Sequence, residues 1–242
     1  MNQPSIQQTA RTLDPQHEAT IRQARKAMES ALSVSEADPP EHLKNDKGWM
    51  AGHALWLRTI SSCQATLFLI EQGNAGPAWS TLRNAYECLF YACALWKDPS
   101  KFAKLEDNSR IQMAKQANGL LKPGVYDAMD AETRTILEAR STGGWRDGVR
   151  LEEWSIFSAA EDAGMEYEYQ MVFRGSSLVG AHATERSTDA HFVEVSEGVH
   201  SFYSGPRFDN AEFQIGWVSE AIVLGLQAFK ALHQLDQPHS PE

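Results

Sequence analysis

The chain has 242 residues, 42% of them hydrophobic and 22% charged, a soluble globular balance long enough to bury a sizeable core. Its net charge of −10 is uneven: residues 1 to 120 carry 13 Lys and Arg against 12 Asp and Glu, and the remaining 122 carry 9 against 20. That acidic second half disfavours a nucleic-acid partner, and no apolar run reaches the roughly eighteen residues of a membrane helix.

The first residues, MNQPSIQQTART, show no basic segment leading into an apolar one, so no secretory signal is expected. Cys63, Cys88 and Cys93 form no CxxC pair and lie in apolar patterns. They fit reduced, buried thiols in a cytoplasmic protein.

Residues 1–14 are polar and expected to be loose. HEATIRQARKAMESAL then predicts an amphipathic helix with Ile21, Ala24, Met28 and Leu32 near one face, started by Asp14-Pro15. ADPPEHLKND breaks it. A second helix is expected over 47–72, stopped by GNAG, and a third from Pro77 to Trp96; so short a turn makes the two an antiparallel hairpin. Asp98-Pro99 starts a fourth, ended by KPG, and DAMDAETRTILEAR is a fifth segment.

STGGWRDG (141–148) reads as a loop and LEEWSIFSAAEDAG as a short helix ending at Gly164, with a longer helix over 165–183. Residues 184–209 are poor in pattern, with HFVEV the longest alternating run. AEFQIGWVSEAIVLGLQAFKALHQL closes the chain as a long helix that is apolar on more than one face, which points to a further helix layer or a homodimer interface. The expected fold is all-α: one multi-helix bundle over 15–236, built on the central helical hairpin, with a loose tail over 237–242.

Two places carry the candidate chemistry. On the third helix, apolar nearly all round, Arg83 and Glu87 stand i, i+4. Charges there must be paired or face a cavity, so they are either an internal ion pair or an anion holder beside an acid–base group. Downstream, FRGSSLVGAHATERS gathers Arg174, Ser176, Ser177 and His182, with Tyr169 and Phe173 at helical spacing before them. No GxSxG elbow accompanies the serines. His182, His191 and His200 fall at equal intervals, and Glu197 with His200 makes one E-x-x-H. A helical di-iron centre needs two such motifs, so no metal is expected. Nothing calls for a cofactor. Glu152, Glu153, Glu161, Asp162, Glu166 and Glu168 are expected to be a solvated surface.

WSTLRNAYECLFYACALWKDPSKF resembles the R-x-x-x-E helix and following aspartate-proline of the bacterial domain-of-unknown-function family 5677. GGWRDGVRLEEWSIFSAAEDAGMEYEYQMVFRGSSLVGAH resembles that family's tryptophan-glycine loop and closing tyrosine–serine–histidine helix. The resemblance covers about residues 45 to 235. It implies a helical fold with Arg83, Glu87, Trp145, Tyr169, Ser177 and His182 as the signature polar positions, Phe173 standing where a second tyrosine is expected. It implies no reaction. A looser similarity is to helical HEPN-type defence ribonucleases, marked by an arginine four to six residues before a histidine; here seven residues separate Arg174 from His182.

The leading expectation is a small-molecule site in which Glu87 and His182 handle protons while Arg83, Tyr169, Arg174, Ser177 and Trp145 bind a polar or anionic ligand. A ribonuclease and an interaction protein without chemistry are the alternatives.

Overall fold

The computed structural model describes residues 13–36, 39–125, 128–181, 185–188, 191–203, 205–208 and 210–234. Helix α1 (Pro15–Ser35) begins as its sequence dictates: the Asp14 carboxylate accepts from the Gln16 N–H at 2.7 Å, with Pro15 in the first turn. Asp46 caps α2 (Lys47–Glu71) in the same way through the Trp49 N–H. Helix α3 (Ala75–Lys97) returns antiparallel after the 72–74 turn. The fourth helix differs from expectation at its start, since Asp98 caps a single 3-10 turn (Pro99–Lys101) before α4 (Phe102–Leu120) begins. Asp130 then caps α5 (Ala131–Ser141).

Two segments expected to be irregular are hairpins. Residues 145–150 pair as β1 (Trp145–Arg146) and β2 (Val149–Arg150), with Trp145 opposite Arg150. Asp147 and Gly148 both have positive φ, 51° and 80°, the turn that matches strand twist. Further on, β3 (Phe192–Ser196), which contains FVEV of the HFVEV run, pairs with β4 (Val199–Phe202). Between the hairpins, residues 151–155 carry no regular secondary structure, so α6 (Ile156–Ala163) starts later than expected, capped by Ser155.

The helix expected over 165–183 starts as α7 (Glu166–Glu168) and widens into π-helical turns over Tyr169–Arg174 and Ser177–Ala181. A short α8 (Glu185–Thr188) follows, and α9 (Ala211–Gln234) ends the described chain.

The core lies between α2, α3 and α9, with α1 and α6 closing its sides. Trp56, Tyr86, Phe90 and Phe229 are its largest fully buried side chains. Gly225 lets α9 lie directly on Trp56, because a Cβ there would overlap the indole. Gln214, buried on α9, donates to the Ala75 carbonyl at 2.8 Å and ties the last helix to the start of α3.

Among the described residues, Ala211–Leu232 is the one stretch long and apolar enough to cross a membrane by length and composition. Its inner stripe, including Ile215, Val218, Ile222 and Phe229, is core, while Phe213 and Val223 face outward.

Candidate functional site

Arg83 points from the half-buried flank of α3 toward the π-helical segment. Its Nε donates to Ser177 Oγ at 2.9 Å, and its guanidinium carbon sits 4.0 Å above the Phe173 ring. Nη1 reaches Glu87 at 3.4 Å, with the two side chains 26% and 34% exposed. A pair so long and so wet contributes little to folding. Stacking and the Ser177 bond, rather than Glu87, orient the guanidinium.

The opposite wall is built by spacing. Tyr169, Phe173 and Ser177 follow at four-residue intervals along the π-helical segment. The Tyr169 and Phe173 rings stack, 5.3 Å apart and 17° from parallel, and Phe90 packs against both. Ser177 donates its own hydrogen to the Phe173 carbonyl at 2.8 Å, which leaves its oxygen as the acceptor for Arg83. The segment is held on α3 by Ser80, which donates to the Gly180 carbonyl at 2.8 Å. A Cβ at Gly180 would collide with Gly76 and Trp79, so only glycine permits that approach.

The structure thus brings together Arg83, Glu87, Tyr169 and Ser177 of the expected site, on a platform supplied by Phe173. Arg174 stands apart: it is exposed and reaches Gln170 on its own turn at 3.4 Å. Trp145, 59% exposed, belongs to the first hairpin and lines a different cleft, with Ile111, Ala114 and Asn118 of α4. His182 lies outside the described residues, directly after the last π turn. His191 and His200 are exposed at the second hairpin, where Glu197 occupies the turn. The E-x-x-H spacing therefore belongs to a hairpin, not to a helix of the di-iron type. No group of three His, Cys, Asp or Glu is disposed to hold a metal ion among the described residues.

Two polar features escaped the sequence reading. One is a hydroxyl and amide seam between α2 and α3. There Thr66 meets Thr81 at 2.9 Å, and Asn84 donates to Ser62 at 2.7 Å. Its signal was the spacing of Thr59, Ser62 and Thr66 along one face of α2. The other joins Tyr91, Asn108 and Trp154. Tyr91 Oη and Asn108 Nδ2 both donate to the Trp154 carbonyl, at 2.8 and 2.7 Å, while Asn108 Oδ1 accepts the Trp154 N–H at 2.8 Å. The Trp154 indole donates to Asp162, itself paired with Lys101 at 2.6 Å. Asp162, expected on an acidic solvated surface, is instead tied into this network, whereas Glu153 stays exposed on that surface, paired with Lys115 at 2.7 Å.

The three cysteines are buried and free. Burial pushes the Cys63 and Cys93 thiols up to about 12 and Cys88 to about 11. They are packing groups, unsuited to nucleophilic work.

No curated protein and no solved structure matches the chain. A family model does, over residues 50–199, a span that holds α3, both walls of the Arg83 cluster and the Trp145 hairpin. The chain belongs to a family of unknown function (DUF5677).

Proposed function

We propose that the Arg83 cluster binds a small anionic or polar molecule, with Glu87 placed to exchange a proton with it. The observation that carries this reading is the state of the guanidinium. Two contacts, to Ser177 and to the Phe173 ring, fix its plane, yet its charge is met only by a carboxylate at 3.4 Å. Nη2 has no partner among the described residues. A carboxylate or phosphate oxygen arriving at the fork would gain two short, charge-assisted bonds, while giving up only the loose one to Glu87. A guanidinium oriented in advance loses less freedom on binding than a free side chain. Wide π turns, of the kind that supply Tyr169, Phe173 and Ser177, recur at functional sites.

Thermal melting with inorganic phosphate or small carboxylates, at constant ionic strength, tests the reading. A ligand at ten times its Kd stabilises the fold by about 1.4 kcal/mol. Wild type is expected to shift and Arg83→Gln to stay still. Equal shifts in the two proteins would remove the site. If a ribonuclease is at work instead, the purified protein degrades total RNA and a His182→Ala variant does not.

A further inference from the structure

A second cleft lies between α7 and α9 and shares no lining residue with the Arg83 cluster. It is an open depression of about 330 Å³, lined by Tyr167, Glu168, Phe213, Gly216, Trp217 and Glu220. Three of the six are aromatic, and they do not lie flat on one another. Tyr167 and Trp217 are 6.3 Å apart and tilted by 45°, and Phe213 and Trp217 are 5.7 Å apart and near perpendicular at 76°. The rings therefore stand as adjoining sides of the depression rather than as one flat stack. Tyr167 is 63% exposed and Phe213 48%, an unusual use of large apolar surface unless something covers it.

Trp217 is the fixed member of the group. Its ring meets the buried Tyr86 edge-on at 6.2 Å, and its carbonyl accepts from Tyr86 Oη at 2.9 Å. The remaining lining is acidic. Glu168 and Glu220 enter the cleft from α7 and α9, and neither has a cationic partner among the described residues. Both raise the Tyr86 hydroxyl pKa further, after burial and Cys63, so their negative field is felt at the buried phenol that Trp217 packs on.

Aromatic faces are negative and apolar, and the two carboxylates add net negative charge without a bound cation. We infer that this cleft is a recognition site for a quaternary or fully methylated ammonium group. Such a group has a permanent positive charge spread over methyl surface and offers no N–H to donate. It therefore matches ring faces flanked by carboxylates better than a pocket built of hydrogen-bond acceptors alone. A primary ammonium keeps a tight hydration shell that these rings cannot replace. An anionic or zwitterionic ligand would meet Glu168 and Glu220 unfavourably.

Gly216 supplies a variant that blocks the cleft without touching the core. It lies within α9, and a Cβ added there meets nothing within 4 Å. Gly216→Leu should fold at least as well as wild type, because a glycine inside a helix is itself unfavourable, while its side chain fills the cleft. The experiment follows the Trp217 indole N–H by NMR, assigned with Trp217→Phe. Choline chloride is titrated against a sodium chloride control at equal ionic strength. A parallel titration uses 3,3-dimethylbutan-1-ol, the neutral carbon isostere of choline, and another uses a peptide bearing trimethyllysine.

Choline should move the Trp217 signal saturably and the neutral isostere should not. Phe213→Ala and Glu220→Gln should each weaken binding by about three- to tenfold, and Gly216→Leu should abolish it with melting temperature unchanged or raised. A peptide that binds more tightly than choline would identify a protein tail as the source of the ammonium, and the reverse a free metabolite. Three results would each overturn the assignment: equal responses to choline and its isostere, undiminished binding by Gly216→Leu, or no saturable shift. The Arg83 site stands or falls separately, since the titration uses none of its residues.

Discussion

Two polar clusters hang from α3, and Arg83, Glu87 and Tyr91 follow one another at four-residue intervals between them. Around Tyr91 every polar partner is spoken for: the hydroxyl, the Asn108 amide and both backbone groups of Trp154 close on each other, under a Tyr91–Trp154 edge contact of 4.9 Å. Around Arg83, two turns earlier, the guanidinium is oriented but its charge is only loosely met. The first cluster is what a helical bundle needs to bury polar groups safely. The second is more than folding requires and less than folding would finish. Fully satisfied groups hold the fold together; the oriented, unsatisfied one is what the proposed ligand would complete.

If that contrast is right, the largest effect comes from breaking the closed cluster. Trp154→Ala removes a nearly buried indole that packs on Tyr91 and bonds Asp162. It is expected to cost about 3–5 kcal/mol, and at about 2–4 °C per kcal/mol for a chain of this size to lower the melting temperature by about 10 °C. Asn108→Ala keeps the packing but orphans the Trp154 N–H and loosens its carbonyl, with about 1–3 kcal/mol for the stranded donor. A melt of either variant within two degrees of wild type would show that the closed cluster does not hold α4 and α6 against α3.

The open cluster should respond in the opposite way. Arg83→Ala and Glu87→Ala each leave a survivor that water can reach, so a loss of about 1 kcal/mol or less is expected. That amounts to a few degrees at most. His182→Ala should be equally mild if function rather than folding maintains it. Binding is where these variants should fail, together with Ser177→Ala, which frees the guanidinium to turn. Collapse of the Arg83 and Glu87 variants by calorimetry would make the pair structural and erase the contrast.

How far this was legible in the sequence depends on distance along the chain. The α2–α3 hairpin and the Arg83–Glu87 step follow from periodicity and local chemistry, while Tyr169 and Ser177 were reached through helical spacing and the family resemblance. What the sequence could not convey is the third dimension of α7's continuation. Phe173 and Arg174 are neighbours in the chain, yet a quarter-turn of helix sends the ring under Arg83 and the guanidinium to solvent. The Trp145 hairpin was masked by reading Asp147-Gly148 as loop punctuation, although a two-residue turn between Trp145-Arg146 and Val149-Arg150 is also the strongest short hairpin signal. Asn108, one of four side-chain amides on α4, gave no sign that it clasps a backbone 46 residues later.

The gentlest test of the comparison uses thiols already in place, one beside each cluster. Cys88 follows Glu87 directly and Cys93 lies two residues past Tyr91. Burial raises both, Cys88 to about 11 and Cys93 to about 12, with Arg58 offsetting part of the rise at Cys88. An ordinary thiol titrates at 9.0, so the unfolded chain loses these protons first. The stability held by the neutral thiols is therefore complete below pH 9 and declines as pH rises toward 11 and 12. Near pH 8 the melting temperature should be flat, and a disulfide reagent should label the native protein only through opening. Cys88, beside the open cluster, should react before Cys93, and Arg83→Ala should speed Cys88 alone. Asn108→Ala should speed Cys93 instead. Mass spectrometry of the labelled peptides separates the two sites, and equal rates at both thiols in every variant would mean that α3 opens as one unit, whatever its clusters are doing.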